Sequence, residues 1–147
     1  MSDVKNSKYE KSAPKAEGIM HGVIENRFIV DEKNFRADSV FRDARGTRIT
    51  GVMLEGGIRH SVSFTLGNEH LPPGEYEFPG DKIGNIYYMV VMPAFPELIY
   101  KAERAKLTIR ENTSKPYISG DLIFDTETLD SFHYQVRINI FEITGED

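Results

Sequence analysis

The chain has no cysteine and no tryptophan. Without thiols it cannot form disulfide staples, ligate zinc through sulfur or use a cysteine nucleophile, so its core must hold by packing alone. Long hydrophobic runs are missing as well. The longest, Ile86 to Ala94, falls far below the ~20 residues that span a bilayer as a helix. The amino-terminal stretch MSDVKNSKYEKSAPKAEG has no apolar core of the kind a secretory signal needs, so a cytoplasmic chain without a membrane partner is expected. Positive charge is in deficit too: 18 Lys and Arg face 23 Asp and Glu, a formal net charge of -5. No chain-wide attraction to nucleic acid follows, and none is expected as a partner.

Catalytic signatures are equally scarce. There is no Gly-x-Ser-x-Gly elbow, and the glycines from Gly51 to Gly57 lack the Lys-Ser/Thr ending of a phosphate-binding loop. His60 is followed by Ser61 and Val62, so no His-x-His ligand pair exists. Asp121, Asp125, Glu127 and Asp130 could pair as glycosidase acids, but most sit in a turn, where acids serve solubility. No cofactor is implied. The Asn112-Thr113-Ser114 triplet matches a glycosylation acceptor only if the chain is secreted, and is read as chance.

What is present is an ordinary globular composition over 147 residues, with 39% hydrophobic and 28% charged. Residues 1–16 are polar and lysine-rich and read as a flexible tail, leaving 17–147 as a single domain. Period-two alternation dominates that domain. GIMHGVIENRFIV reads as one or two strands with Met20, Ile24, Phe28 and Val30 on one side. DEKNFRADSVFRDARG holds an extended or helical piece around Ser39 to Arg42 and a turn at Asp43 to Gly46. TRITGVML and IRHSVSFTL flank Glu55-Gly56-Gly57 as a hairpin, with Ile58, Val62, Phe64 and Leu66 buried and Arg59, Ser61, Ser63 and Thr65 wet. The double proline of LPPGEYEF allows only a short strand, whereas IGNIYYMVVM is apolar on both sides and reads as a central strand covered on both faces.

The last third is the most legible. Ala105, Leu107 and Ile109 form one inward set, Ile118, Leu122 and Phe124 a second, and Phe132, Tyr134, Val136, Ile138 and Ile140 a third, joined by the turn-rich links ENTSKP and DTETLD. A three-stranded antiparallel meander from Arg104 to Ile143 is therefore expected to close the fold. Placing Ile109 opposite Ile118 would set Lys106 against Asp121, a favourable cross-strand pair. The whole reads as an all-β antiparallel sandwich or small barrel of about 8–9 strands. Its open strand edges favour self-association into a homo-oligomer.

Three groups of residues stand out as sites. The four histidines, His21, His60, His70 and His133, form no tight motif, but His60 lies on an otherwise apolar parity and needs a partner. His60 and His70 are the weak candidates for a metal. The outward parity of the closing strands collects Arg104, Lys106, Arg110, Tyr117, Asp121, His133, Gln135, Arg137 and Asn139, a basic, hydrogen-bonding face suited to a polar ligand or an acidic protein. Tyr87, Tyr88 and Tyr100, beside the proline-broken MPAFPEL, form either rim-bonded core or an aromatic platform. The function expected first is a non-enzymatic binding or protein-interaction module using the outward polar face. The alternatives are a small-ligand, carbohydrate-like site at the tyrosines, and a metal-dependent enzyme using His60 with His70 or His21.

Overall fold

A computed structural model describes residues 16–29, 31–43, 45–113 and 117–145. Residues 1–15 of the expected tail, Val30 of the first apolar parity and Ser114 of the Asn-Thr-Ser triplet lie outside them, while Ala16 opens the first strand. The described residues form no helix, and none is therefore long and apolar enough to cross a membrane. They form an all-β antiparallel sheet curled into a half-barrel. Its strands are β1 (Ala16–Asn26), β2 (Asp31–Arg36), β3 (Ser39–Asp43), β4 (Arg48–Glu55), β5 (Ile58–Leu66), β6 (Gly74–Phe78), β7 (Ile83–Val91), β8 (Leu98–Asn112), β9 (Ile118–Thr126) and β10 (Tyr134–Gly145). The hydrogen-bonded order is β2-β1-β10-β9-β8-β7-β5-β4-β3, with β6 added beside β8.

Alternation explains most of the strands. Residues i and i+2 share a face, so Ile49 and Met53, Val62, Phe64 and Leu66, and Ala105, Leu107 and Ile109 all turn inward and are buried. Gly56 and Gly57 have φ of 59° and 82°, the two positive angles of a two-residue hairpin turn, and Glu55 pairs directly with Ile58. The segment read as extended or helical near Ser39 is β3, paired with β4.

Several expectations are corrected. Ile109 faces Gly120, Leu107 faces Leu122, and Thr108 rather than Lys106 faces Asp121. The reason is that β8 runs on to Asn112, which faces Ile118, with a bulge between Ile109 and Glu111. A second bulge, between Ile138 and Phe141, exchanges parity in β10. It turns Phe141 and Ile143 inward and leaves Ile140 36% exposed. Ser61 and Ser63 are buried, not wet, because they sit mid-strand on β5 between outward Val52, Met89 and Tyr87. β7 is central in the order, yet Tyr87, Met89 and Val91 on its outer parity remain half-exposed, so its coverage is one-sided.

The two ends of the half-barrel differ. At one, Arg42 of β3 donates to the carbonyls of Gly46 and Glu69 and to Asn112 Oδ1, while Asn112 Nδ2 donates to the carbonyls of Glu69 and Leu71. This network ties β3, the β5–β6 loop and β8 together over buried Leu71. The amide of Asn112 is thereby committed to the fold.

Close approach at Gly120, as at Gly22, leaves no room for a side chain. A Cβ there would fall directly onto the carbonyl oxygen of Thr108 and 3.0 Å from the ring of Phe141. Gly120→Ala is expected to cost roughly 1–3 kcal/mol, as overpacking does. Gly84→Ala, whose methyl meets open space, should stay within about 0.5 kcal/mol of the parent. Urea denaturation of both variants checks the contrast, and equal stabilities would refute the packing account.

Candidate functional site

The antiparallel register gathers four turns at the other end. Asn26, the last residue of β1, pairs with both Asp31 and Tyr134, the first residues of β2 and β10. Thr126 ends β9 opposite Ala102 near the start of β8, Val90 faces Leu98, and Val91 faces Arg59 beside the Gly56–Gly57 turn. The inward residues of these strand ends therefore converge on a cavity of about 280 Å³. Ile24, Ile58, Val90, Met92 and Leu98 supply apolar wall, Phe132 stands at its edge, and Asn26, Asp31, Lys33 and His60 supply the polar lining. Phe28, Ile29 and Phe95 are exposed on the same turns.

Three tyrosines line it as well: Tyr88 of β7, Tyr100 of β8 and Tyr134 of β10. Tyr134 stands edge-on to both others, with ring centroids 4.8 Å from Tyr100 and 5.2 Å from Tyr88. Edge-to-face contacts of this kind hold rings in fixed orientations. The Tyr100 and Tyr134 phenols lie close enough to shift each other's proton affinity. Burial, with the other two tyrosines and Glu55 adding to it, pushes the Tyr88 phenol well above its ordinary range. Burial first, then Tyr100, pushes Tyr134 up to about 12.

His60 completes the cluster. It is 5% exposed, its Nδ1 lies 2.8 Å from the Tyr88 hydroxyl, and its ring is nearly parallel to that of Tyr88. Burial and then Lys33 hold its imidazole below the usual histidine range, only partly opposed by Glu55. Lys33 is itself paired with Glu55 at 2.7 Å. Near neutral pH the imidazole and the phenols are therefore neutral hydrogen-bonding groups, set beside Asp31 and Lys33 in the lining.

The residues singled out from the sequence scatter. Tyr88 and Tyr100 come together in the cavity, but Tyr87 has the opposite parity on β7 and turns outward beside Arg48 and Lys101. His70 lies beyond the far end of β5, ~20 Å from His60 at 3.3 Å per strand residue, and 3.6 Å from Glu69. His21 has the outer parity of β1. His60 thus shares a site with neither histidine, and among the described residues no group of three or more His, Asp or Glu could hold a metal.

On the outer face, Arg104 lies 3.7 Å from Asp125, Lys106 3.5 Å from Glu75 and Arg110 2.8 Å from Asp121. Gln135 reaches Asp125, and exposed Arg137 reaches only Gln135. Tyr117 donates to Glu142, and exposed Asn139 sits in the β10 bulge. His133 packs on the Phe28 ring at the cavity end, roughly 25 Å along β10 from Tyr117. Three of the four cations in this set thus face an acid, and the nine residues do not form one cluster.

Tyr134, Asn26, Asp31 and Lys33 escaped sequence reasoning as site residues. Tyr134 was legible as inward-facing but not distinguishable from core. The other three had no local signal, because only the curl of the sheet brings β1 and β2 to β7 and β8.

Comparison with protein-family models, with curated proteins and with solved structures finds no match for this chain.

The depressed proton affinity of His60 has a stability consequence. As pH falls through the ordinary histidine value near 6.5, the unfolded chain takes up a proton that the folded chain refuses. The contribution of the neutral ring is thus present above that pH and lost below it. The parent should lose more stability than His60→Asn between about pH 7 and about pH 5 in urea titrations. Parallel pH profiles would show that His60 is not held neutral by the fold.

Proposed function

We propose that this chain is a binding protein that takes one small molecule into the cavity at the open end of its half-barrel, between the Tyr88, Tyr100 and Tyr134 rings and the His60 imidazole. The observation that carries this reading is the unequal treatment of the two barrel ends. One is cross-linked by the hydrogen bonds of Arg42 and Asn112, while the other leaves an apolar hollow with four aromatic or imidazole rings held around it. Most small-ligand sites combine an apolar wall with a few fixed polar groups, and this cavity lies at the small end of their size range. A single ring with a short substituent fits it.

The reading of the outer face as a partner surface has weaker support, because Arg104, Lys106 and Arg110 each face an acid within 4 Å. Arg137 remains as its one strongly exposed cation without an acidic partner among the described residues.

A screen of single-ring fragments, followed through backbone amide shifts, should move Ile24, Ile58, Val90 and Leu98. Val90→Phe and Leu98→Phe, which fill the hollow from two different strands, should each weaken fragment binding by about tenfold or more, the equivalent of ~1.4 kcal/mol. Arg137→Glu should leave it unchanged. Shifts confined to the outer face, and abolished by Arg137→Glu, would replace the cavity reading with the surface one.

A further inference from the structure

Building on the cavity reading, we infer that the molecule taken is uncharged and carries a carbonyl-type hydrogen-bond acceptor, received by the Nε2–H of His60. The inference starts from the Tyr88 hydroxyl. Tyr88 is 2% exposed, and the one hydrogen-bond partner of its hydroxyl among the described residues is His60 Nδ1. A buried O–H without an acceptor carries a large desolvation cost, so the phenol donates and Nδ1 accepts. In a neutral imidazole the proton then sits on Nε2, across the ring from Tyr88. That N–H has no partner among the described residues, and its ring lines the cavity.

The remaining polar groups point the same way. Asn26 accepts the Phe28 N–H with Oδ1, which leaves its Nδ2 hydrogens as the free part of the amide. Tyr100 and Tyr134 add two phenol side chains to the lining. The cavity is rich in unspent donors. Its fixed charges do not call for an anion, because Lys33 is paired with Glu55 and Asp31 also lines the hollow. A carboxylate would lose its water without meeting an unpaired cation, whereas a ketone, aldehyde or amide oxygen sheds far less hydration than a carboxylate and gains the waiting donors.

The experiment uses the intact chain and three single-ring probes of similar size: acetophenone, ethylbenzene and benzoate. Affinities come from amide and side-chain shifts, and the His60 tautomer from long-range proton–nitrogen spectra. The Nε2–H tautomer is expected, with the Nε2 signal moved by acetophenone. Acetophenone should bind roughly threefold to tenfold tighter than ethylbenzene, the usual net value of one hydrogen bond, and tighter than benzoate. Tyr88→Phe, which removes the donor that fixes the tautomer, should narrow the acetophenone preference.

Equal binding of acetophenone and ethylbenzene, tightest binding of benzoate, or an Nδ1–H tautomer would overturn the acceptor inference and leave the cavity reading intact. If none of the three probes moves a cavity residue, the cavity reading itself fails and the inference falls with it.

Discussion

The two-residue link Ala37-Asp38 is the constraint on which the rest depends. It joins β2 to β3, which stand at opposite ends of the nine-strand order. Laid flat, eight strand spacings would separate those edges by ~38 Å, whereas three Cα–Cα steps from Arg36 to Ser39 reach ~11 Å at most. The chain can satisfy both only by curling the sheet until its edges approach. The link is then fixed by its own backbone: Ala37 N–H donates to the carbonyl of Met20 on β1, and Asp38 N–H to that of Val52 on β4. Gly51 allows the approach, since a Cβ there would run into the Met20 sulfur. The curl packs β3, one edge strand, against β1, the neighbour of the other.

Curling decides what becomes interior. The concave face gathers Phe35, Phe64, Phe124 and Phe141, all under 2% exposed, with Phe64 and Phe141 packed edge to face. A curled sheet must also solve its two open ends, where turns and polar backbone meet the core. At the Arg42 end the solution is polar: one guanidinium and one amide use up the carbonyls of Gly46, Glu69 and Leu71. At the other end ring edges and hydroxyls stand in the opening and leave it hollow. The connections differ too, since the chain leaves the sheet order at the Arg42 end to place β6 beside β8.

How much of this was readable beforehand follows from range. Alternation is a local property, so the inward sets Ala105, Leu107, Ile109 and Leu122, Phe124 were legible and are buried. His60 was legible as an anomaly, a polar ring on the parity of Val62 and Phe64, and its burial against Tyr88 bears out the demand for a partner. Bulges leave no such trace. The extra residue near Ile138 shifts Ile140 outward and Phe141 inward with nothing in the composition to announce it. The expected pairing of Ile109 with Ile118 failed for a related reason, since a strand extending to Asn112 could not be told from the start of a turn. Asn26, Asp31 and Lys33 were out of reach because their proximity to Tyr88 arises from a closure some sixty residues long, not from spacing.

The hydroxyls themselves are the final difficulty for a purely structural account of the cavity end. Replacing both partners of a buried hydrogen bond by apolar groups of the same shape is close to neutral for stability. Phenylalanine at positions 88, 100 and 134 would keep the edge-to-face packing and would avoid the desolvation that drives the Tyr88 and Tyr134 phenols upward. The fold therefore gains little from the three hydroxyls that rings alone would not supply. His60 strengthens the point, because an apolar residue on that parity would remove both the buried imidazole and its need for Tyr88. A polar cluster that stability does not require, set in a hollow at the end of the half-barrel, is accounted for if its donors serve a molecule that enters from outside.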